Sequence, residues 1–354
     1  MNTPSTCSHF SQCSGCSVAN SLTPPLWDEV RGYFQKKGVE PVWHEDGFLH
    51  RRVKAKLAVQ SGPRIGLYKR SSHEVVDIPN CLVHHPSINK AVAIIKEEVK
   101  RQNTPIGEKG LSYIQLWVEM GTGKIQLTLI HHSMKAITPL WEALSKYDIW
   151  HSIWLNFHEY LNNRILSDDW KLVFGKSFLW QKIHNEWIPF HPGAFSQVHI
   201  PLFEKIIQKI EGWIRPDEKV LELYAGVGAI GLNLQRKTKH LTLVESNPFA
   251  YLSFQQCRSN IRFECGDVEE KSLKDQDLII VDPPRKGLSE GVKRKLCEVS
   301  KDRLIYISCN FDSFLRDCED LLQKGWVIRE AEGYLLFSGS NHVEIVALLE
   351  KESG

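Results

Sequence analysis

Apolar positions along the chain change period twice. Residues 24–38 open with Pro24-Pro25-Leu26-Trp27, place Trp27, Val30 and Phe34 on one stripe and stop at Gly38, which predicts a helix. From about Glu40 the period falls to two. In His50–Val59, Arg52, Lys54 and Lys56 share one face of a predicted strand, and Val53, Ala55, Leu57 and Val59 share the other. Ser61-Gly62-Pro63 turns the chain into a second strand at Arg64–Lys69, and Val75–Ile78 adds a third. Ile88–Lys100 is amphipathic with Val92, Ile95 and Val99 inward. Ser112–Glu119 and Lys124–Ile130 alternate around Met120-Gly121-Thr122-Gly123, the pattern of a hairpin. Pro139–Lys146 reads as helix and Ser152–His158 as strand.

Near residue 190 the pattern becomes strand alternating with helix. Pro201–Trp213 is a helix with Leu202, Ile206, Ile207 and Ile210 on its apolar face. Strands are then expected at Val220–Leu223, Leu241–Glu245, Arg262–Glu264, Leu278–Asp282, Leu304–Ser308, Val327–Glu330 and Val343–Leu349. Seven strands with intervening helices make an α/β, doubly wound sheet. The loop Gly333–Asn341 has no helical pattern, so the last two strands form a hairpin and the final one runs antiparallel. The expected organisation is therefore residues 1–39 as a cysteine-bearing segment and helix, 40–188 as an α+β domain, and 189–354 as the doubly wound domain.

Composition narrows the setting. With 354 residues, 42% hydrophobic and 24% charged, the chain can bury two cores and has the balance of a soluble protein. No run of eighteen apolar residues occurs and Met1–Asn20 has no apolar core of a signal peptide, so a cytoplasmic protein without a membrane span is expected. A net charge of +2 leaves any nucleic-acid contact to local clustering, and the Arg52, Lys54, Lys56 face is the candidate, helped by Lys69 and Arg70. Six of the eleven tryptophans (Trp141, Trp150, Trp154, Trp170, Trp180, Trp187) lie between residues 141 and 187 and are expected in a core rather than as a base-stacking platform.

The nine cysteines read as cytosolic thiols, ligands or nucleophiles. Cys7-x5-Cys13-x2-Cys16 is one ligand short of a four-thiolate site, and Cys81, in a turn-like polar segment, is the candidate fourth. Such a set suits zinc or a [4Fe–4S] cluster, and spacing does not separate them.

Lys219–Leu232, KVLELYAGVGAIGL, is a strand that turns through glycines into a helix, the nucleotide-binding corner of an open sheet. Its Tyr224 and Gly226 stand at the turn, and GxG rather than GxGxxG disfavours a dinucleotide. Glu245, ending the next strand, is placed for ribose hydroxyls, and Asp267 follows in a loop at the same edge. Asp282 leads the rigid exit Asp282-Pro283-Pro284-Arg285. Cys309 sits at a strand exit just before a helix, where the helix dipole is expected to favour its thiolate. Glu344, between apolar Val343 and Ile345, is suited to a raised pKa and general-base work.

Taken in order, Phe195-Ser196-Gln197, Glu222-Leu223-Tyr224-Ala225-Gly226-Val227-Gly228, Asp282-Pro283-Pro284-Arg285-Lys286-Gly287, Ser308-Cys309-Asn310 and His342-Val343-Glu344 resemble the RNA uracil-C5 methyltransferase family. The resemblance covers nearly the whole chain. It implies a Rossmann-like seven-stranded class I methyltransferase domain using S-adenosylmethionine, with an N-terminal α+β domain carrying an iron–sulfur site. It also implies that Cys309 is the nucleophile, Glu344 the base, and Gln197, Tyr224, Glu245 and Asp282 contacts to cofactor or target uracil. Cys7, Cys13, Cys16 and Cys81 match the set that holds a [4Fe–4S] cluster in the branch acting on 23S rRNA, so that RNA is the implied partner of a monomeric enzyme. His199 stands where the family often has Asn, and Ala229 where some members have a cofactor-binding Asn. The rival readings are a tRNA uridine-C5 methyltransferase, an RNA cytosine-C5 methyltransferase, and a non-catalytic RNA-binding protein. Cytosine enzymes carry a cysteine in or beside the motif after strand four, and Asp282-Pro283-Pro284-Arg285 has none.

Overall fold

The computed structural model describes residues 7–18, 21–158, 165–238, 240–299 and 303–352. Its elements begin with α1 (Leu26–Lys36), β1 (Val42–His44), β2 (Lys54–Gln60), β3 (Arg64–Tyr68), β4 (Val75–Asp77) and α2 (Pro86–Arg101). There follow β5 (Leu111–Val118), β6 (Ile125–His131), α3 (Met134–Leu144), β7 (Trp150–Phe157), β8 (Trp170–Gly175), β9 (Leu179–Ile183) and β10 (Glu186–Phe190). The carboxyl half comprises α4 (Ile200–Trp213), β11 (Lys219–Leu223), α5 (Ala229–Leu234), β12 (His240–Glu245), α6 (Pro248–Phe254), β13 (Arg262–Cys265) and β14 (Leu278–Val281). It closes with α7 (Glu290–Glu298), β15 (Arg303–Ser308), α8 (Phe311–Leu322), β16 (Trp326–Tyr334) and β17 (Glu344–Lys351). Among the described residues, no helix is long and apolar enough to cross a membrane.

Two large sheets and one hairpin organise these elements. The central sheet has seven strands in the order β4-β3-β2-β5-β6-β7-β8, and β9 and β10 form a separate two-stranded sheet. Val92, Ile95 and Val99 of α2 and Leu57, Ile114, Leu116, Leu127 and Leu129 of the strands meet in one buried core. The second sheet runs β1-β16-β17-β15-β14-β11-β12-β13, so all seven expected strands are present. β17 is antiparallel to both neighbours, as a terminal hairpin requires. Leu278–Val281 and Leu304–Ile307 are fully or almost fully buried, which is why they read as uninterrupted apolar runs.

An eighth strand joins this sheet. β1 pairs parallel with β16, and Trp27, Val30 and Phe34 of α1 are buried in the same core as Leu221, Ile279 and Leu304. A division at residue 39 therefore does not follow the packing: α1 and β1 belong to the carboxyl-terminal sheet. Three residues are too short for β1 to carry a periodic signal.

A buried carboxylate holds this join. Glu332 of β16 accepts from His44 Nε2 at 2.8 Å, pairs with Lys209 of α4 at 2.9 Å and accepts from the Tyr334 hydroxyl. The His44 ring stacks on Tyr334 with centroids 4.6 Å apart. Burial alone would raise the Glu332 pKa; the bonds from His44, Tyr334 and Lys209 outweigh it and pull it down to about 2. A depressed carboxylate stabilises above its unfolded value near 4.5 and loses that contribution as pH falls through about 2. Glu332→Gln is expected to cost about 3 kcal/mol at pH 7, a difference that shrinks between pH 4.5 and pH 2. Urea unfolding of both proteins across that range is the measurement, and a pH-independent difference refutes the assignment.

Candidate active site

The carboxyl ends of β11, β12, β14 and β15 open onto one cavity of ≈ 660 Å³, a size usual for small-molecule sites. Gln197, Tyr224, Gly226, Glu245, Asp267, Asp282, Cys309 and Glu344 all line it. Every cofactor and catalytic candidate from the sequence is thus gathered at one place. Phe195, Glu269, Arg285, Ser289, Phe337 and His342 line it as well.

Local backbone explains the cradle. Tyr224 leaves β11 at φ +59°, a left-handed conformation that costs a non-glycine residue about 1–2 kcal/mol. Gly226 follows at φ +54°, and a Cβ there would meet nothing within 4 Å, so its backbone faces open space. Gly228 at φ +77° has the opposite reason: a Cβ would come within 2.7 Å of Leu243 Cδ1, so only glycine lets α5 start against β12. The Gly226 N–H donates to Glu245 Oε2 at 3.0 Å and the Asn247 N–H to Oε1 at 2.7 Å. Glu245 is therefore fixed at the cavity edge while retaining lone pairs for a ligand hydroxyl.

A narrower recess behind the cavity is lined by Ser196, Gln197, Glu222, Tyr224, Gly226 and Asp282. Among the described residues, Glu222 Oε2 and Ser196 Oγ are buried without a hydrogen-bond partner. Burial pushes the Glu222 pKa to about 8, with Asp282 and Glu245 adding repulsion, and burial followed by Glu245 raises that of Asp282. Glu222 was not singled out as a ligand contact from sequence. Its signal was an acid between Leu221 and Leu223 in an otherwise apolar strand.

Cys309 lies between the end of β15 and Asn310, which caps α8 by accepting from the Ser313 N–H at 2.9 Å. The helix start that the sequence places beside Cys309 does not decide its titration, because burial and neighbouring carboxyls outweigh it. The thiol is pushed up to about 11, mostly by burial, then by the carboxyls of Glu344 and Asp282, with Arg285 opposing them. Burial dominates because the helix dipole is a smaller effect than desolvation of an anion. Glu344 is well above the ordinary carboxyl range from burial and Asp282, again opposed by Arg285. It opens β17, opposite Tyr334 of β16.

The ligand-free protein should therefore show slow alkylation of Cys309 by iodoacetamide at pH 7. The rate should climb about tenfold per pH unit toward the thiol's pKa near 11. Peptide mapping by mass spectrometry, with exposed Cys265 as internal comparison, measures it. A plateau below pH 8 contradicts the assignment.

Residues 246–352 match the family model described as tRNA (Uracil-5-)-methyltransferase. An uncharacterized RNA methyltransferase of Protochlamydia amoebophila is 39% identical over 98% of this chain and 97% of its own length. The chain belongs to the RNA uracil-C5 methyltransferase family. Another relative, an uncharacterized RNA methyltransferase of Lactococcus lactis, is 27% identical over 89% of this chain and 74% of its own. Among solved structures, the tRNA (uracil-54, C5)-methyltransferase of Pyrococcus abyssi in complex with S-adenosyl-L-homocysteine shares the fold. Its TM-score is 0.81 at 24% identity, covering 95% of this chain and 86% of that one.

Elsewhere in this methyltransferase, Cys7, Cys13, Cys16 and Cys81 line one small cavity with Phe10, Phe48, Leu67, Ile78 and Arg52. The Gly15 N–H donates to Cys13 Sγ at 3.3 Å, and a Cβ on Gly15 would come within 2.8 Å of Leu67. Burial raises the Cys13, Cys16 and Cys81 thiols, Cys16 to about 12. Among the described residues, no three His, Cys, Asp or Glu side chains converge as ligands of a single metal ion.

The basic stripe expected on one wet face does not form. Arg52 lies ahead of β2, turned toward the thiol cavity with its guanidinium 5.6 Å from the Phe337 ring. Lys54 donates to Ala194 O at 3.1 Å and sits 4.2 Å over Trp117. Burial, with Lys56 adding repulsion, brings its pKa down to about 7. Lys56 alone is exposed. The face is covered because residues 190–197 cross it, Gln115 donating to Pro192 O at 2.9 Å.

Proposed function

We propose that this chain methylates C5 of a uridine in RNA, with S-adenosylmethionine as donor and 23S rRNA as substrate. The observation carrying this reading is the meeting of Cys309, Glu344, Asp282 and the Gly226 turn in one cavity. Buried carboxyls whose pKa values are raised favour a cationic ligand, which a sulfonium compound with an ammonium group provides. When bound, the donor supplies an electrophilic methyl group. Gly226 and Glu245, joined by a hydrogen bond, would hold its adenosine portion, and Tyr224, Gln197, Asp267 and Asp282, which line the same cavity, would make the remaining contacts.

C5 of uracil is too weak a nucleophile to take a methyl group unaided. The Cys309 sulfur bonds to C6, and the displaced π electrons make C5 enolate-like. Arg285, beside Cys309 and Glu344, opposes burial in favour of their anions. The displaced π electrons form the bond from C5 to the methyl group that the donor would supply. Glu344, as the carboxylate, then takes the C5 proton, the C5–C6 double bond re-forms and the sulfur leaves as the thiolate. A stacked base cannot reach an enclosed thiol, so the target uridine is unpaired or flipped.

Cys7, Cys13, Cys16 and Cys81, which line one cavity, would hold a [4Fe–4S] cluster in this reading, since a four-thiolate set suits one. The same set supports the 23S rRNA assignment through the family branch it matches. Lys56 remains as an RNA contact, and the enzyme acts as a cytoplasmic monomer. A tRNA substrate is the second reading, favoured by the description of the matching family model. Mass-spectrometric mapping of 5-methyluridine in total RNA from cells with and without the gene separates them. Loss from 23S rRNA supports the proposal, loss from tRNA the alternative, and loss from neither refutes both.

A further inference from the structure

The tryptophan-rich segment does not lie wholly in a core. Trp150 and Trp154 are buried, yet Trp187 is 54% exposed and Trp180 37%. Both stand on the β9–β10 hairpin, whose inner side chains Leu179, Ile183, Ile188 and Phe190 are almost fully buried. Strand alternation therefore directs Trp180, Lys182 and Trp187 outward together, and Lys182 lies directly across from Trp187.

The frame beneath them is rigid. The Asn185 N–H at the hairpin turn donates to Asn233 Oδ1 at 2.9 Å, and the His184 N–H to Glu204 Oε1 at 2.6 Å. Gln181 Oε1 accepts from the Met120 N–H at 3.0 Å, which sets Met120, itself 41% exposed, beside the hairpin. Of the seven large apolar side chains exposed among the described residues, two thus share the outer face of one hairpin. Leaving two indoles in water on a fixed frame is unfavourable unless something covers them.

We propose that the outer face of this hairpin docks single-stranded RNA flanking the target uridine, an inference that rests on the function proposed above. Indole faces stack on any base, and cations beside them track phosphates. Lys182 and, ahead of β9, Lys176 are exposed and supply that charge. The neighbouring carboxylates are engaged: Glu186 faces Arg236 at 3.4 Å, and Glu211 faces the His184 ring at 3.3 Å. β10 also leads toward the cleft. Phe190 lines the recess behind the active cavity, and Phe195, 62% exposed, lines the cavity itself.

The test is fluorescence anisotropy with the full chain and a fluorescein-labelled, uridine-rich single-stranded RNA of about twenty nucleotides, a length covering several stacking steps. The Trp180→Ala/Trp187→Ala double variant should bind about 10- to 100-fold more weakly, while Trp180→Phe/Trp187→Phe stays close to the parent. Lys182→Gln should lower the salt slope by about 0.7. S-adenosylhomocysteine affinity, read by calorimetry, should not change in any of them. If the alanine variant loses that affinity too, the Phe and Gln variants decide. Unchanged RNA affinity in the alanine variant, or an unchanged salt slope in Lys182→Gln, overturns the proposal. So does a dimer that sediments with the parent and dissociates in the alanine variant while RNA affinity stays constant, because the occupant is then a second copy. RNA binding that depends on the tryptophans, with 5-methyluridine unchanged in total RNA from cells without the gene, upholds this surface and overturns the function proposed above.

Discussion

Glu344→Gln protein mixed with substrate RNA and S-adenosylmethionine will accumulate a protein–RNA band that survives denaturation, and Cys309→Ala will not. The two residues line the same cavity and influence each other electrostatically, but their removal interrupts different bonds. Without the Cys309 sulfur nothing adds to C6, so neither methylation nor a covalent complex forms. Without the Glu344 carboxylate, addition and methyl transfer still proceed, but the C5 proton stays and the sulfur cannot leave. Loss of a positioned base commonly costs about 10²–10⁴ in rate, enough for the adduct to build up over minutes. The raised pKa of Glu344 sharpens the expectation, since glutamine matches the shape of the neutral carboxyl and leaves packing near Val343 and Ile345 intact. The double variant will show no band. Normal turnover by Glu344→Gln, or a crosslink from Cys309→Ala, would mean the roles are wrongly assigned.

Protein purified without oxygen will be brown and carry about four irons per chain, with broad absorption near 400 nm, if the four thiols hold an iron–sulfur cluster. Cys81→Ser will lose iron and solubility together. The reason is the position of the cavity in the chain. Cys81 belongs to the segment after β4, while the amino-terminal thiols sit on residues that also reach the loop before β17. The Ser17 and Val18 N–H groups donate to Gly339 O at 2.7 and 3.0 Å, and the Asn341 N–H donates to Ser17 Oγ at 3.0 Å. Releasing Cys7, Cys13 and Cys16 therefore loosens the loop that leads to Glu344. Stoichiometric zinc in colourless protein sinks the cluster reading, and iron retained by Cys81→Ser removes Cys81 from the ligand set.

Much of the catalytic half was legible because its strands are buried on both faces. Leu278–Val281 and Leu304–Ile307 must be apolar throughout, so they read as strands, and the polar residues that end them mark where the ligand edge begins. Asp282 and Cys309 were found that way, Glu344 as an acid between apolar residues where the last strand opens, and the glycine turn at Gly226 and Gly228 from the passage of a strand straight into a helix. Glu222 was passed over although Leu221 and Leu223 flank it as Val343 and Ile345 flank Glu344, because it lies within its strand rather than at the rim where ligands are sought.

Local pattern could not report what covers a face. Arg52, Lys54 and Lys56 alternate with apolar residues in a way that specifies two sides of a strand, but the crossing of residues 190–197 makes one side partly interior. The hairpin tryptophans are the converse case, two large apolar groups whose strand alternation turns them to solvent. The three-residue β1 joins a sheet whose other strands begin more than 170 residues later. The electrostatics of Cys309 follow the same logic. Sequence placed it before a helix, where a dipole favours the anion, whereas folding surrounded it with Glu344, Asp282 and apolar atoms and pushed its thiol the other way. Periodicity and residue chemistry along the chain determined which elements form and which polar side chains gather at the sheet's ligand edge. Which faces stay wet, which segment closes the sheet edge and how the buried charges balance depend on contacts between distant residues, and these only the tertiary structure decided.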